Sequence, residues 1–110
     1  MSDWKTICHQ DDLIPDTGLC ALFDDEQVAI FYCGGNQSLY ALSNFDPIGD
    51  ANVLSRGIVG SIGDEVVVAS PLYKQHFNLK TGKCLEAPEH TLKTYPIRVS
   101  DGEVQLQVVL

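Results

Sequence analysis

No stretch of this 110-residue chain is apolar over the roughly 20 residues that a membrane-spanning helix needs. Its first residues, Met1-Ser2-Asp3-Trp4-Lys5, show neither the basic n-region nor the apolar h-region of a secretory signal. The expected address is therefore the cytoplasm, with no membrane partner. Basic residues are scarce: 7 Lys and Arg stand against 15 Asp and Glu, for a net charge of −8. The acidic residues are spread along the chain rather than massed in a tail, which argues against nucleic acid and anionic membrane surfaces as partners. Pairs of the C-x-x-C type are missing too. Cys8, Cys20, Cys33 and Cys84 follow no common zinc-binding spacing, and a reducing compartment disfavours disulfides among them. Cys20 and Cys33 lie in apolar runs and are expected to behave as small buried hydrophobes. Cys8-His9 is the one Cys/His neighbour pair; adjacent residues on a strand face opposite ways, so it makes a poor chelate.

Signatures of catalysis are equally thin. Asp46, Ser70, His76 and His9 could be imagined as a nucleophile set, but no nucleophile-elbow sequence surrounds Ser70 and no glycine-rich phosphate loop precedes a helix. No active site is expected on this chain. It also lacks an amphipathic helix, an internal repeat, a low-complexity segment and a linker.

What the chain does contain is a succession of short β-rich runs. With 45% hydrophobic residues it is globular rather than disordered, and its length suits one domain over 1–110. A chain of this size buries roughly two-thirds of its unfolded surface, enough to fold without disulfides. Gly18 to Phe23 and Gln27 to Cys33 are expected strands joined through Asp24-Asp25-Glu26. Gly34-Gly35-Asn36 supplies a tight turn before a strand from Ser38 to Leu42. Gly57 to Ile62 and Glu65 to Ala69 flank a Gly63-Asp64 hairpin signal, and Thr91 to Val99 and Glu103 to Leu110 flank the stronger Asp101-Gly102. Val99, Val104, Leu106 and Val108 alternate as if one face were buried. Phe45 to Asn52 and Ser70 to Gln75 read as loops, since Pro47 and Pro71 cannot donate to a ladder. Ala87-Pro88-Glu89-His90 reads as a surface crossover. Many short strands at close spacing predict an all-β fold, a small antiparallel sandwich or barrel.

The order of elements from Ser38 to Val108 resembles the Rieske-type ferredoxin domain. The second cluster loop of that family runs C-P-x-H, then three residues, then F-D-L-x-T-G. Here the corresponding run is Ser70-Pro71-Leu72-Tyr73, Lys74-Gln75-His76, and Phe77-Asn78-Leu79-Lys80-Thr81-Gly82. The family's later L-x-x-Y-x-V-x-V pattern is echoed by Leu92-Lys93-Thr94-Tyr95-Pro96-Ile97-Arg98-Val99. The resemblance implies a Rieske-like fold with two loops in the places of the cluster-binding loops. It carries the family's four ligand positions onto Asp46, Ile48, Ser70 and Tyr73. A Rieske centre needs two thiolates and two imidazoles, so these residues imply no metal and no cofactor on this chain. Cys33 and Cys84 offer thiols elsewhere, but no histidine pair stands in the right loops. Phe45, Ile48, Leu72 and Tyr73 are expected to fill the vacated tip, with these loops among the less stable parts of the isolated chain.

A narrower resemblance lies in Trp4-Lys5-Thr6-Ile7-Cys8, Asp11-Asp12-Leu13-Ile14-Pro15, Thr17-Gly18-Leu19-Cys20-Ala21-Leu22, Glu26-Gln27-Val28-Ala29-Ile30-Phe31 and Val53-Leu54-Ser55-Arg56-Gly57. These look like the small subunits of bacterial NADH-dependent nitrite reductase. That resemblance implies a non-catalytic subunit beside a large subunit that carries FAD, an iron–sulfur cluster and siroheme and reduces nitrite to ammonium. Tyr73, Lys74, His76 and Arg56 are the residues expected to contact that partner. Two other readings stay open: a cluster-free adaptor of another oxidoreductase, and an electron carrier with an atypical [2Fe-2S] centre.

Overall fold

The computed structural model describes residues 4–23, 25–34 and 38–107. Eleven strands are found among them: β1 (Trp4–His9), β2 (Gly18–Phe23), β3 (Glu26–Cys33), β4 (Ser38–Ser43), β5 (Phe45–Asp46), β6 (Ala51–Asn52), β7 (Ile58–Ile62), β8 (Glu65–Ala69), β9 (His76–Asn78), β10 (Ile97–Ser100) and β11 (Glu103–Gln107). They form antiparallel sheets ordered β1-β11-β10, β2-β3-β4, β5-β6 and β7-β8-β9. Among the described residues the helical turns are two three-residue 3₁₀ turns, Gln10–Asp12 and Leu54–Arg56. No helix among the described residues is long and apolar enough to cross a membrane.

Strand β3 organises the interior. Because successive side chains on a strand point to opposite faces, a strand buried on both sides reads as a continuous apolar run, and Val28, Ala29, Ile30 and Phe31 are all fully buried. Ala29, Phe31 and Cys33 enter one core with Leu42, Leu54, Val68, Phe77, Leu79, Cys84 and Leu92. Val28 and Ile30 enter a second with Ala21, Phe23, Ala41, Tyr95 and Leu106. The central sheet thus divides two cores, one shared with β7-β8-β9 and the other with β1-β11-β10. Each fully buried aliphatic or aromatic side chain contributes about 1.5–3 kcal/mol to holding these layers together.

The turns follow their chemistry. Asp101 and Gly102 both adopt positive φ, 52° and 80°, as a two-residue hairpin loop requires. Gly63 sits at φ 61° between β7 and β8. His90 donates its N–H to Ala87 O at 2.9 Å, closing the surface turn expected there.

Several expectations need correction. Thr91 to Val99 is not one strand: Thr91 and Thr94 make isolated bridges to Lys83 and Leu42, and regular pairing starts at Ile97, after Pro96, which has no N–H to donate. Val99 is 43% exposed, so the buried face of that hairpin comes from Val104 and Leu106. The segment from Phe45 to Asn52 is not wholly loop, because β5 and β6 pair Phe45 with Asn52 and Asp46 with Ala51. Cys20 is exposed rather than buried, because on β2 the inward positions are Ala21 and Phe23. The Gly35-Asn36 turn, Asp24 and Val108 lie outside the described residues.

Candidate functional site

Asp46-Pro47 and Ser70-Pro71 begin two loops with the same local design. A short polar side chain before proline can accept a hydrogen bond from the backbone two residues on. Asp46 Oδ1 accepts from Ile48 N at 2.8 Å and from Gly49 N at 3.0 Å, while Ser70 Oγ accepts from Leu72 N at 3.3 Å. Each loop is then closed four residues on: Asp50 N donates to Asp46 O at 2.7 Å, and Lys74 N to Ser70 O at 3.0 Å. Both closing residues are left-handed, Asp50 at φ 57° and Lys74 at φ 63°. The first loop is thus held between β5 and β6 and the second between β8 and β9.

The two loops meet through their first residues. Ser70 donates its hydroxyl to Asp46 Oδ2, and both are buried, at 1% and 0% exposure. Burying a polar group is costly unless it is bonded; here the carboxylate receives three donors and the hydroxyl both donates and accepts. Beside this bond, Leu72 lies across Gly49: a Cβ at position 49 would stand 2.4 Å from Leu72 Cδ1 and 3.2 Å from Asp46 Oδ2. A side chain at 49 would have to displace the end of Leu72 and press on Asp46.

The expected filling of the tip by four apolar side chains is therefore wrong in its main part. Phe45, Leu72 and Tyr73 are 38%, 44% and 65% exposed; only Ile48 packs against the first core. A polar clasp joins the loop starts, Leu72 lies partly exposed over Gly49, and Phe45 and Tyr73 are left facing solvent.

A residue that sequence reasoning missed supports the first loop from below. Asn44, 2% exposed, accepts from Ser55 N through Oδ1 at 2.6 Å and donates to Gln27 Oε1 at 3.0 Å. Its carbonyl accepts from Val53 N and Leu54 N at 2.9 and 3.1 Å. It thereby ties residues 53–55 to the entrance of the loop. Asn78, in the place of the family's aspartate, does similar work at the end of β9, accepting from Lys80 N and Thr81 N at 2.8 and 2.9 Å.

The four residues expected at a partner interface come partly together. Arg56, Lys74 and His76 line one groove of about 400 Å³ with Ile58, Ala69 and Pro71; Tyr73 stands on the adjoining tip. His76 is tied at home: its backbone N–H donates to Glu86 Oε1 at 2.7 Å and its ring Nδ1 lies 2.6 Å from Glu86 Oε2. Burial works against ionisation of Glu86, but the His76 backbone and ring outweigh it and hold the carboxyl below its ordinary value.

The imagined nucleophile set does not assemble. Ser70 Oγ bonds Asp46 and Leu72 N, His76 bonds Glu86, and His9 Nδ1 accepts from Asp11 N at 3.1 Å as part of a capping box. Among the described residues, no three His, Cys, Asp or Glu side chains gather as a metal ion would need. Cys33 and Cys84 are core residues; burial first, and then the Asp16 charge, pushes the Cys33 thiol up, away from the thiolate that binds metal.

Against this geometry stand the likenesses to known proteins. Residues 3–107 match the model of the Rieske-like [2Fe-2S] domain. The chain is 50% identical over 107 residues to the nitrite reductase (NADH) small subunit of Escherichia coli strain K12, covering 97% of this chain and 99% of that one. It is 39% identical over 101 residues to part of the nitrite reductase [NAD(P)H] large subunit of Klebsiella oxytoca, covering 92% of this chain and 10% of that protein. A crystal structure described as a putative NADH-dependent nitrite reductase small subunit from Mycobacterium tuberculosis superposes with a TM-score of 0.93 at 42% identity, over 100% of this chain and 98% of that one.

Proposed function

Since the chain belongs to the Rieske-like [2Fe-2S] domain family and, within it, to the nitrite reductase (NADH) small subunits, we propose that it is a non-catalytic subunit assembling with a nitrite reductase large subunit. The observation that carries this reading is the Klebsiella oxytoca protein, in which a segment like this chain makes up 10% of a large subunit. Fusion in one protein and separation in another is what two parts of one working unit look like, because a covalent link replaces binding with high effective concentration. On this reading the partner carries FAD, an iron–sulfur cluster and siroheme, reduces nitrite to ammonium with electrons from NADH, and works in the cytoplasm.

The reading includes the absence of a cluster on this chain. At the four positions matching the family's ligands, Ile48 has no lone pair and Tyr73 is a phenol 65% exposed. Asp46 and Ser70, where thiolates would stand, spend their oxygens on each other and on backbone N–H groups. Hard oxygen donors already engaged in this way do not suit a centre built on two thiolates and two imidazoles. The residues present do not fit the group, and no electron-transfer step is assigned to this chain. Its part is to complete or steady the partner.

Adding the purified chain to the large subunit and following nitrite-dependent NADH oxidation tests the assembly role. The expected result is a rise in rate together with co-purification; an unchanged rate with no association rejects it. Iron and sulfide analysis of anaerobically purified chain tests the cluster-free part, which stoichiometric iron with visible absorbance bands would overturn.

A further inference from the structure

The groove beside the second loop stands out in an acidic chain. Net charge is −8 with 7 Lys and Arg in all, yet Arg56 and Lys74 both open onto this one groove and no carboxylate lines it. Among the described residues neither side chain has an ion-pair or hydrogen-bond partner, which is also true of Lys80 and Lys83 outside the groove, whereas Lys93 lies 3.4 Å from Glu26 and Arg98 sits 4.2 Å over the Trp4 ring while bonding Gln105. Two carboxylates bond residues of the lining from outside it: Glu86 is held by His76 and Asp46 by Ser70.

The rest of the groove is apolar. Ile58 is 77% exposed, on an edge strand whose one neighbour in its sheet is β8, and Pro71 and Ala69 continue the wall. Leu72 and Tyr73, 44% and 65% exposed, extend this surface over the tip. A small anion would leave these side chains in water, while contiguous exposed apolar surface rimmed by charge marks a protein partner. The net charge of −8 opposes an acidic partner at a distance, but within about a Debye length the two groove cations favour carboxylates and fix their register.

We propose that this groove receives an acidic segment of the large subunit, with carboxylates facing Arg56 and Lys74 and an aliphatic side chain packed on Ile58 and Pro71. The assignment rests on the subunit reading above and adds where and by what chemistry the partner binds. It also gives the left-handed Lys74 a use. The turn that closes the loop places a cation at the rim of the groove rather than on the tip.

Binding of the purified large subunit to four forms of the full chain tests this: wild type, Arg56→Glu/Lys74→Glu, Ile58→Ser, and Lys80→Glu/Lys83→Glu. The last makes the same change in net charge outside the groove. Thermal midpoints confirm that each is folded. The expected result is about tenfold weaker binding for the groove charge reversal, faster loss of wild-type binding with salt, a smaller loss for Ile58→Ser, and none for the Lys80/Lys83 control. Wild-type binding retained by the groove variants overturns the groove while leaving the subunit reading intact. Equal weakening by the control also overturns it, since net charge alone would then explain the effect. If instead sedimentation shows these variants dissolving a dimer of this chain with large-subunit binding unchanged, the groove belongs to a second copy and the proposal falls. Failure of the wild type to bind the large subunit at any salt rejects the subunit reading itself.

Discussion

Ser70 donates its hydroxyl to Asp46 across 24 residues of sequence, inside the protein, where neither group reaches water. The bond joins two loops that also meet where Leu72 lies over Gly49.

Cutting this bond is expected to unsettle both loops. Ser70→Ala leaves a buried carboxylate one donor short, and Asp46→Ala strands the Ser70 hydroxyl together with the N–H groups of Ile48 and Gly49. Each unmet buried group costs about 1–3 kcal/mol, so both variants should lower the urea midpoint, Asp46→Ala by more. In the double variant the two costs should fall short of their sum by at least about 0.5 kcal/mol, the mark of a direct interaction. Strictly additive losses would mean that the two side chains do not act as a pair.

Asn44 should behave as a brace. Asn44→Ala removes the acceptor for Ser55 N and the donor to Gln27, with an expected loss of about 1–3 kcal/mol. Hydrogen exchange should quicken at Ser55 and in the adjoining 3₁₀ turn, while β10 and β11 stay protected. Uniform quickening over the whole chain would mean that Asn44 serves overall stability and not this junction.

Tyr95 predicts an alkaline limb of instability. Burial, followed by the hydrogen bond to Glu26 and its charge, pushes the phenol well above its ordinary range. The folded state therefore holds this proton more tightly than the unfolded state. The associated stability is fully present below the unfolded value of about 10 and is lost as pH rises toward the folded value. Tyr95→Phe keeps the edge-to-face packing on Phe23, whose ring stands 6.0 Å away at 89°. It should flatten the fall in denaturant midpoint above about pH 9. A wild-type limb unchanged in the variant would exclude Tyr95 as its source.

Glu86 predicts the opposite limb. Its carboxyl titrates below its ordinary value because His76 bonds to it despite the opposing effect of burial. The stability it lends is present above the unfolded value and is lost as pH falls through the folded one. Carbon-detected NMR should place its midpoint below that of an ordinary glutamate, and Glu86→Gln should reduce the slope of stability against pH in that acid window. The effect should be small, since the Glu86 side chain is 47% exposed.

Strands were legible where pattern and punctuation agree. Gly18–Phe23 and Glu65–Ala69 run between the boundaries that glycine, acidic turn residues and alternation predict. Trp4–His9 and His76–Asn78 were not read as strands: the first has no clean alternation of burial, and the second has three residues. Their pairing is decided by the distant partners β11 and β8. At the site, the residue types at Asp46 and Ser70 were visible in the sequence, but their structural consequence was not. The local half of the answer lay in Asp46-Pro47 and Ser70-Pro71, since a short oxygen-bearing side chain before proline bonds its own loop. The other half, that the two oxygens bond each other, depends on how the sheets bring the loops together.

The matched turns also bear on the order in which the fold is built. The loop-closing bonds at Asp46 and Ser70 span two to four residues, so each loop can form as soon as its own segment is made. Only the bond between them has to wait for distant strands to pair, and such long-range closures come late and slowly. Each loop thus carries its own folding instructions, and the final step is the meeting of two side chains already in the chain. If the cluster-free proposal holds, that meeting of side chains takes the place of a metal-loading stage.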